Sequence, residues 1–326
     1  MAGRRDYPFH HDPVWQRLVS DAQELPQRGP IYTYTSPHDP WLTNSYYFET
    51  DRGVLLFDTQ TFRSSVEELW EQIQANTSGN LFGVVITHAH PDHFFGNEFL
   101  REVAPNAFVL TSTAVDEEMR ETGPLRAASL HAEYGDEVPE TLNAGTWADI
   151  VIDSDTVLRF ADLTVELQLF GPSEARGHVT AWIPEQRAFI AGDLVQNRQH
   201  YWLGEREFPN WYVQVEQIAA LDPITVHTGH QGVGGSELMT ETKRWIASYL
   251  GMMSERLGPG FDPQDVSALT AEDRDYIMDR LKASFPDWYD EVMTADGTTA
   301  MRFCLEGRDT ATEPAAIAAR ARRDGA

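Results

Sequence analysis

A chain of 326 residues has room for one large α/β domain with an appendage, or for two domains, and its 41% apolar content excludes global disorder. Its 25 basic residues stand against 51 acidic ones, a formal charge of −26, so the surface repels phosphate backbones and anionic lipid and argues against nucleic-acid and membrane partners. The single cysteine, Cys304, forbids an intrachain disulfide. No stretch approaches the length of a membrane span. The opening residues lack the apolar core of a secretory signal, so a cytoplasmic protein is expected.

Residues 1–30 are rich in Pro, His, Arg and Asp. Within them 14–25 reads as a short helix, with Val14, Leu18 and Val19 on one face and Pro26 closing it. Residues 31–35 and 45–50 read as strands around a Pro-rich loop. The run 53–59 is a buried strand ending in the carboxylate of Asp58. Asp58 has the alternative role of capping the next helix, 64–75, where Ser64 and Glu67 have capping-box spacing.

Residues 84–87, Val-Val-Ile-Thr, read as another buried strand, and it runs straight into His88-Ala89-His90-Pro91-Asp92-His93. Pro91 ends the strand, so the histidines sit on the loop at its carboxyl end, where open α/β sheets place their ligand sites. His88 and His90 are two apart and point the same way while the extension continues. Asp92 and His93 converge from beyond the turn. Imidazole plus carboxylate, with no thiolate, suits Zn, Mn or Fe. The bland alternative is a solvated histidine loop, and the spacing is against it.

Residues 94–103 read as a helix, with Phe94 and Phe95 ahead of Gly96-Asn97; the two rings either seal the core or wall a pocket. A strand at 107–111 and a helix at 114–121 follow. Residues 122–149 read as an irregular insertion, the kind of segment that forms a lid or an oligomer contact. His131 lies in it and is expected to be neither ligand nor catalyst. Strands are expected at 150–153, 156–160 and 163–170. The run 187–194 is a buried strand ending in Gly192-Asp193, and 224–228 leads into Gly229-His230-Gln231-Gly232, with His227 read as a core residue. Helices are expected at 237–257, broken by Gly258-Pro259-Gly260, and at 271–284, stopped by Pro286. The Ala/Arg-rich end from Thr312 reads as a weak surface helix or a tail.

His-x-His-x-Asp-His after a hydrophobic strand, followed in order by Gly192-Asp193 and Gly229-His230, resembles the signature of the metallo-β-lactamase superfamily over residues 31–235. The resemblance implies an α/β fold, an αββα sandwich with the metal cleft at one edge. Residues 1–30 would be an N-terminal segment and 236–326 a helical extension packed on the main domain. It implies a hydrolase in which zinc lowers the pKa of water toward ~7. It assigns Asp92, His93, the bridging Asp193 and His230 to one metal site, with Asp193 orienting the attacking hydroxide. Asp58 would support the metal loop from behind, although Gln60 stands where glycine is usual.

The other family site takes His88, His90 and the first histidine of a Gly-Pro-Ala-His segment. Aligned on Gly171-Pro172 and Gly177, that position is Glu174, and His178 falls four places later. Glu174 either ligates as a carboxylate or pairs with Arg176 or a nearby histidine, which leaves His88 and His90 as acid/base groups. One zinc per chain is the preferred reading and two is the alternative.

Between Asp193 and His230 the chain places His200, Tyr201, Trp202, Phe208, Trp211 and Tyr212. With Phe94 and Phe95, the rings of Trp202, Phe208 and Trp211 are expected to wall an aromatic substrate pocket, ordinary packing being the alternative. One intact and one altered metal site is similar to the pattern of the chlorothalonil-type hydrolytic dehalogenases, so a small aromatic or apolar organic substrate is expected. A lactonase, esterase or thioesterase with a dinuclear site is the first alternative. An iron-dependent oxidoreductase of the same fold, using the altered site, is the second. The expected partner is a small molecule, and a homodimer is the one macromolecular association entertained.

Overall fold

The computed structural model describes residues 8–11, 13–23, 31–205, 207–290 and 298–308. The tail expected from Thr312, and part of the N-terminal segment, lie outside the described residues. The described helices and strands, in chain order, are α1 (Pro13–Gln23), β1 (Tyr32–Thr35), β2 (Asn44–Thr50), β3 (Gly53–Phe57), α2 (Arg63–Asn76), β4 (Leu81–Val85), α3 (Pro91–Phe94), α4 (Asn97–Val103), β5 (Phe108–Ser112) and α5 (Thr113–Tyr134). Then come β6 (Ile150–Ile152), β7 (Thr156–Arg159), β8 (Thr164–Phe170), β9 (His178–Ile183), β10 (Ala188–Gly192), α6 (Phe208–Ala220), β11 (Thr225–Thr228), β12 (Val233–Gly234), α7 (Glu237–Leu257), α8 (Ala271–Ser284) and α9 (Ala300–Leu305).

Two mixed six-stranded sheets result, ordered β1-β2-β3-β4-β5-β6 and β12-β11-β10-β9-β8-β7. The strands with continuous apolar runs are those buried on both faces: β3, β4, β9 and β10 carry almost no exposed residue. Parallel pairing of β3, β4, β5 and β6 requires crossovers, which α2, α4 and α5 supply. One core holds Leu55, Phe57, Val85, Leu110, Val165 and Val179 from both sheets. A second joins β10 and β11 to α6, α7, α8 and α9 through Phe189, Trp211, Trp245, Tyr249, Ile277 and Met301. The arrangement is the αββα sandwich expected from the sequence, with helices at its C-terminal part. Among the described residues, no helix is long and apolar enough to cross a membrane.

Three local expectations fail. The helix after β3 starts at Arg63 with Phe62 as its N-cap, whose side chain makes no capping bond; instead the Ser64 N–H donates to Glu137 Oε2 at 3.0 Å. A carboxylate far along the chain has replaced the Ser64–Glu67 box. Second, the helix predicted at 114–121 does not stop there. It runs through Pro124 to Tyr134, so the first half of the supposed irregular insertion is regular. Val115, Met119, Ala127, Leu130 and Tyr134 form a buried stripe at helical spacing. Its burial outweighs the ~3 kcal/mol that an interior proline costs. Third, the helix expected at 94–103 begins only at Asn97, as α4; Phe94 instead closes the short α3 that holds Asp92 and His93. His131 Nδ1 meets Val138 O at 2.7 Å, a backbone contact rather than a ligand role.

Two buried histidines away from the metal loop make stability depend on pH. Trp245 Nε1 donates to His200 Nδ1 at 3.0 Å, and burial pushes His200 down to about 4. Burial alone pushes His227 down to about 3. Both take protons more readily in the unfolded chain, near pH 6.5, so their stabilisation is complete above that pH and is lost as pH falls. By pH 5 each is expected to have withdrawn about 2 kcal/mol. Urea unfolding of wild type and His200→Gln at pH 7.5 and pH 5 checks this: the variant should lose less stability on acidification, and equal losses would contradict it.

Candidate metal centre

The sandwich brings five loops to one edge, and each carries a residue of the predicted constellation. The chain leaves β3 at Asp58, whose φ of +61° turns it back under the metal loop. Its carboxylate accepts from Thr87 N, Thr87 Oγ1 and His93 Nδ1, each at 2.8 Å. The helix-capping alternative for Asp58 is therefore not what the fold uses. Gln60, standing where glycine is usual, does adopt a glycine-like φ of +74°. Its side chain donates to Ser45 Oγ at 2.7 Å and Thr43 O at 3.1 Å, bonds that offset the strain. At Gly229 there is no such freedom, because a Cβ would stand 1.6 Å from Asp193 Oδ1.

Asp92, His93 and His230 form one compact group, and His88, His90, Glu174 and Asp193 another. Asp193 faces both: its Oδ2 lies 3.0 Å from His230 Nε2 and 3.8 Å from His88 Nε2, its Oδ1 3.5 Å from His93 Nε2. Asp92 Oδ2 lies 3.1 Å from His93 Nε2 and 3.5 Å from His230 Nε2. Ligands 2.0–2.1 Å from a common tetrahedral ion sit roughly 3.3 Å apart, so these spacings suit an enclosed cation. His93 Nε2 and Asp193 Oδ1 are buried and have no hydrogen-bond partner. The ligands are also held from outside: His230 Nδ1 meets Trp41 O at 2.8 Å, and Thr43 Oγ1 donates to the same Asp92 Oδ2 that faces the histidines, at 2.7 Å.

Electrostatics agree with the donor set. Burial works against charge on His93 and His230, yet Asp92 and Asp193 outweigh it, raising His93 well above its usual value and His230 to about 9. Burial likewise opposes ionisation of Asp92, and His93 and His230 overcome it and hold the carboxylate far below its ordinary range. A field strong enough to keep these imidazoles protonated is one that a divalent cation would satisfy in their place.

In the other group Glu174 is fully buried, and neither oxygen has a hydrogen-bond partner. Oε1 is 3.1 Å from His90 Nδ1, and Oε2 is 3.6 Å from His88 Nε2 and 3.5 Å from His178 Nε2. The suggested pairing with Arg176 is wrong: Arg176 turns outward to Glu118 and Glu121. His88 Nε2 and His90 Nδ1 lie 3.1 Å apart. Burial pulls His88 well below its usual value, and its histidine neighbours add to the effect. Burial also opposes charge on His90, but Glu174 and Glu205 prevail and raise it well above.

The cleft beside these groups is narrow, with about 60 Å³ of free volume, and is lined by Trp41, Pro91, Arg126, Leu130, Gln196, Gln199 and Trp202 besides the candidate ligands. Of the five rings expected to wall it, Trp202 alone does so. Phe94, Phe95, Phe208 and Trp211 are fully buried. Phe94 and Phe95 pack in the first core, and Phe208 and Trp211 stack on each other in the second, against Tyr249 and Tyr201. The fold turns these rings into the two cores, a direction that ring density in sequence does not reveal. Trp41, Arg126, Leu130 and Glu205 were missed, and no local motif announces them.

Imidazole ligands depend on the groups behind them. Replacing Asp58 by alanine is therefore expected to weaken metal affinity about 10- to 100-fold, as read by competition with a chelator. Unchanged affinity would show that Thr87 and the loop backbone suffice.

The metallo-β-lactamase superfamily model matches residues 38–230. The chain is 25% identical over 205 residues to the type 2 metallo-β-lactamase of Bacillus cereus, covering 61% of this chain and 71% of that protein. It is 23% identical over 205 residues, with the same coverage, to the enzyme of that name from Bacillus sp. (strain 170). Among solved structures it is similar to a metallo-β-lactamase from Pontibacter korlensis, with a TM-score of 0.52 and 20% identity over 68% of this chain and 96% of that one. It is also similar to the stereoselective inverting sec-alkylsulfatase Pisa1 from Pseudomonas sp., with a TM-score of 0.59 and 15% identity over 82% of this chain and 49% of that one. The two structural likenesses speak for the fold, whereas the family match spans the whole run from the loop before β2 to the last candidate ligand. The chain belongs to the metallo-β-lactamase superfamily.

Proposed function

We propose that the chain is a zinc-dependent hydrolase of small, flat, apolar organic substrates, with one catalytic zinc held by Asp92, His93, Asp193 and His230. What carries this assignment is that His93 and His230 both give their second ring nitrogen to an acceptor, Asp58 and Trp41 O, as metal-binding imidazoles characteristically do. In the other group His88 Nδ1 does meet Thr87 Oγ1 at 3.0 Å, but His90 Nε2, its outer nitrogen, has no hydrogen-bond partner. That asymmetry favours a single tight site.

Zinc bound there would lower the pKa of a coordinated water toward ~7 and polarise the electrophile. Asp193 Oδ1 would accept a hydrogen bond from the attacking water and fix its direction. His90 would offer the Nε2 hydrogen to the leaving group, as a hydrogen bond to a departing halide or as a proton to a departing alkoxide, with Glu174 Oε1 holding the ring at Nδ1. His88 would orient His90. Trp41, Leu130 and Trp202 would exclude bulk water and favour a flat, apolar body. Hydrolytic replacement of an aryl halide is the form of this chemistry that the ligand pattern favours.

Trp202 stands over His90 with ring centroids 6.1 Å apart. Trp202→Ala is expected to raise KM about 2- to 12-fold with little change in kcat, the equivalent of one lost ring contact of ~0.5–1.5 kcal/mol. The wider test is a panel of an activated aryl chloride, an aryl ester and a lactone, offered to the zinc-loaded chain and to Asp193→Asn. Chloride release that fails in the variant supports the reading. Turnover of ester or lactone alone would contradict dehalogenation, and no turnover at all would contradict the hydrolase.

A second reading rests on Glu174, whose buried, unpartnered carboxylate is spaced from His88 and His90 as a ligand would be. With Asp193 bridging, two cations would fit, as suits a lactonase or esterase. Glu174→Ala would then drop the metal content from two to one. Under the one-zinc reading, Glu174→His should raise it toward two.

A further inference from the structure

Arg126 is the one buried lysine or arginine among the described residues of a chain whose formal charge is −26. It comes from α5, beyond Pro124, and reaches the cleft wall beside His90. Burying a guanidinium is costly unless its charge and its five donors are matched. Here they are poorly matched. Nη1 donates to Ala89 O at 3.3 Å, and Nε has no partner. The nearest carboxylate, Glu205, keeps Oε1 3.8 Å from Nη2, beyond hydrogen-bond length. Glu205 Oε2 accepts from Trp202 Nε1 at 3.1 Å and lies 3.6 Å from His90 Nε2. Glu118, a buried glutamate on α5, lies toward Arg176 and also feels the Arg126 charge, which works with Arg176 against the rise that burial imposes on its carboxyl. Gln196, on the same cleft, also has a buried amide oxygen without a partner.

We propose that Arg126 forms an anion subsite, so that the substrate is a flat apolar molecule carrying one anionic group, such as a carboxylate. The inference rests on the hydrolase reading above and narrows its substrate class. Trp41, Leu130 and Trp202 hold the apolar body, the metal ligands face the bond to be broken, and the guanidinium takes the charged end. A structural role, tying Ala89 of the metal loop to α5, is the competing explanation and predicts no preference for charge.

The test uses the full chain, its zinc content measured first, and two probes of the same shape, benzoate and benzamide, titrated calorimetrically. Wild type should prefer benzoate. Arg126→Met should bind benzoate about 10- to 100-fold more weakly, as loss of a charge-assisted hydrogen bond dictates, and benzamide as before. Arg126→Lys, which keeps the charge and drops the planar fork, should fall between. Equal benzoate affinity in wild type and Arg126→Met at equal zinc content would overturn the proposal, as would a wild type that does not prefer benzoate. Should the methionine variant fail to fold, a lysine variant that binds benzoate as well as wild type overturns it too. Absence of zinc in the wild type would count against the hydrolase reading alone, since the benzoate comparison still reports on Arg126.

Discussion

Replacing Asp193 by alanine is expected to lower kcat/KM by about a thousandfold or more and to strip the bound metal. This carboxylate is the one that faces both candidate groups, with Oδ2 toward His230 and His88 and Oδ1 toward His93. Its loss would leave His93 and His230 sharing one carboxylate, Asp92, and would remove the acceptor proposed to aim the attacking water. Placing one acceptor or donor at the reacting atoms is commonly worth about a hundred- to a thousandfold, and loss of a ligand adds to that. Asp193→Asn, which keeps the shape and drops the charge, should retain part of the metal and little turnover. Metal content and turnover measured on the same samples decide it; an alanine variant with full zinc and at least a tenth of wild-type turnover would remove Asp193 from the centre.

Trp211→Ala is expected to destabilise the fold by about 3–5 kcal/mol and to leave substrate preference alone. The ring is fully buried, stacked on Phe208, edge-on to Tyr201, and tied by Nε1 to Leu194 O at 2.9 Å. Truncation opens a large cavity and orphans a buried carbonyl one residue after Asp193. Urea unfolding should show the loss as a lower midpoint with an unchanged slope. Trp202→Ala should do the reverse, moving KM with little cost in stability. If Trp211→Ala proved as stable as wild type, the second core would not be packed as described.

The contrast between these two tryptophans shows what the sequence can carry. Buried strands are legible because period and composition are local: Val84-Val85-Ile86 and Phe189-Ile190-Ala191 announce themselves, and the ligand residues follow them directly. Helices α7 and α8 are legible to their end residues because glycine, proline and capping residues punctuate them. The direction of a side chain is another matter. Trp202 and Trp211 are nine residues apart in one aromatic run, yet one lines the cleft and the other fills a core that α7 completes. Residues from 122 read as irregular, and only the packed stripe on either side of Pro124, Met119 to Ala127, shows why α5 continues. The cap of α2 comes from Glu137, 73 residues downstream. Arg126, Trp41 and Leu130 likewise reach the cleft from segments that no spacing rule connects to His88.

The claim at the centre of this account is that one zinc sits among Asp92, His93, Asp193 and His230, and metal analysis tests it directly. The full chain purified without added metal, and His230→Ala prepared in parallel, would be assayed for zinc, iron and manganese by mass spectrometry. One zinc per chain in the wild type, and little or none in His230→Ala, is the predicted result. Full zinc retained by the variant, or two tightly held metals in the wild type, would contradict it.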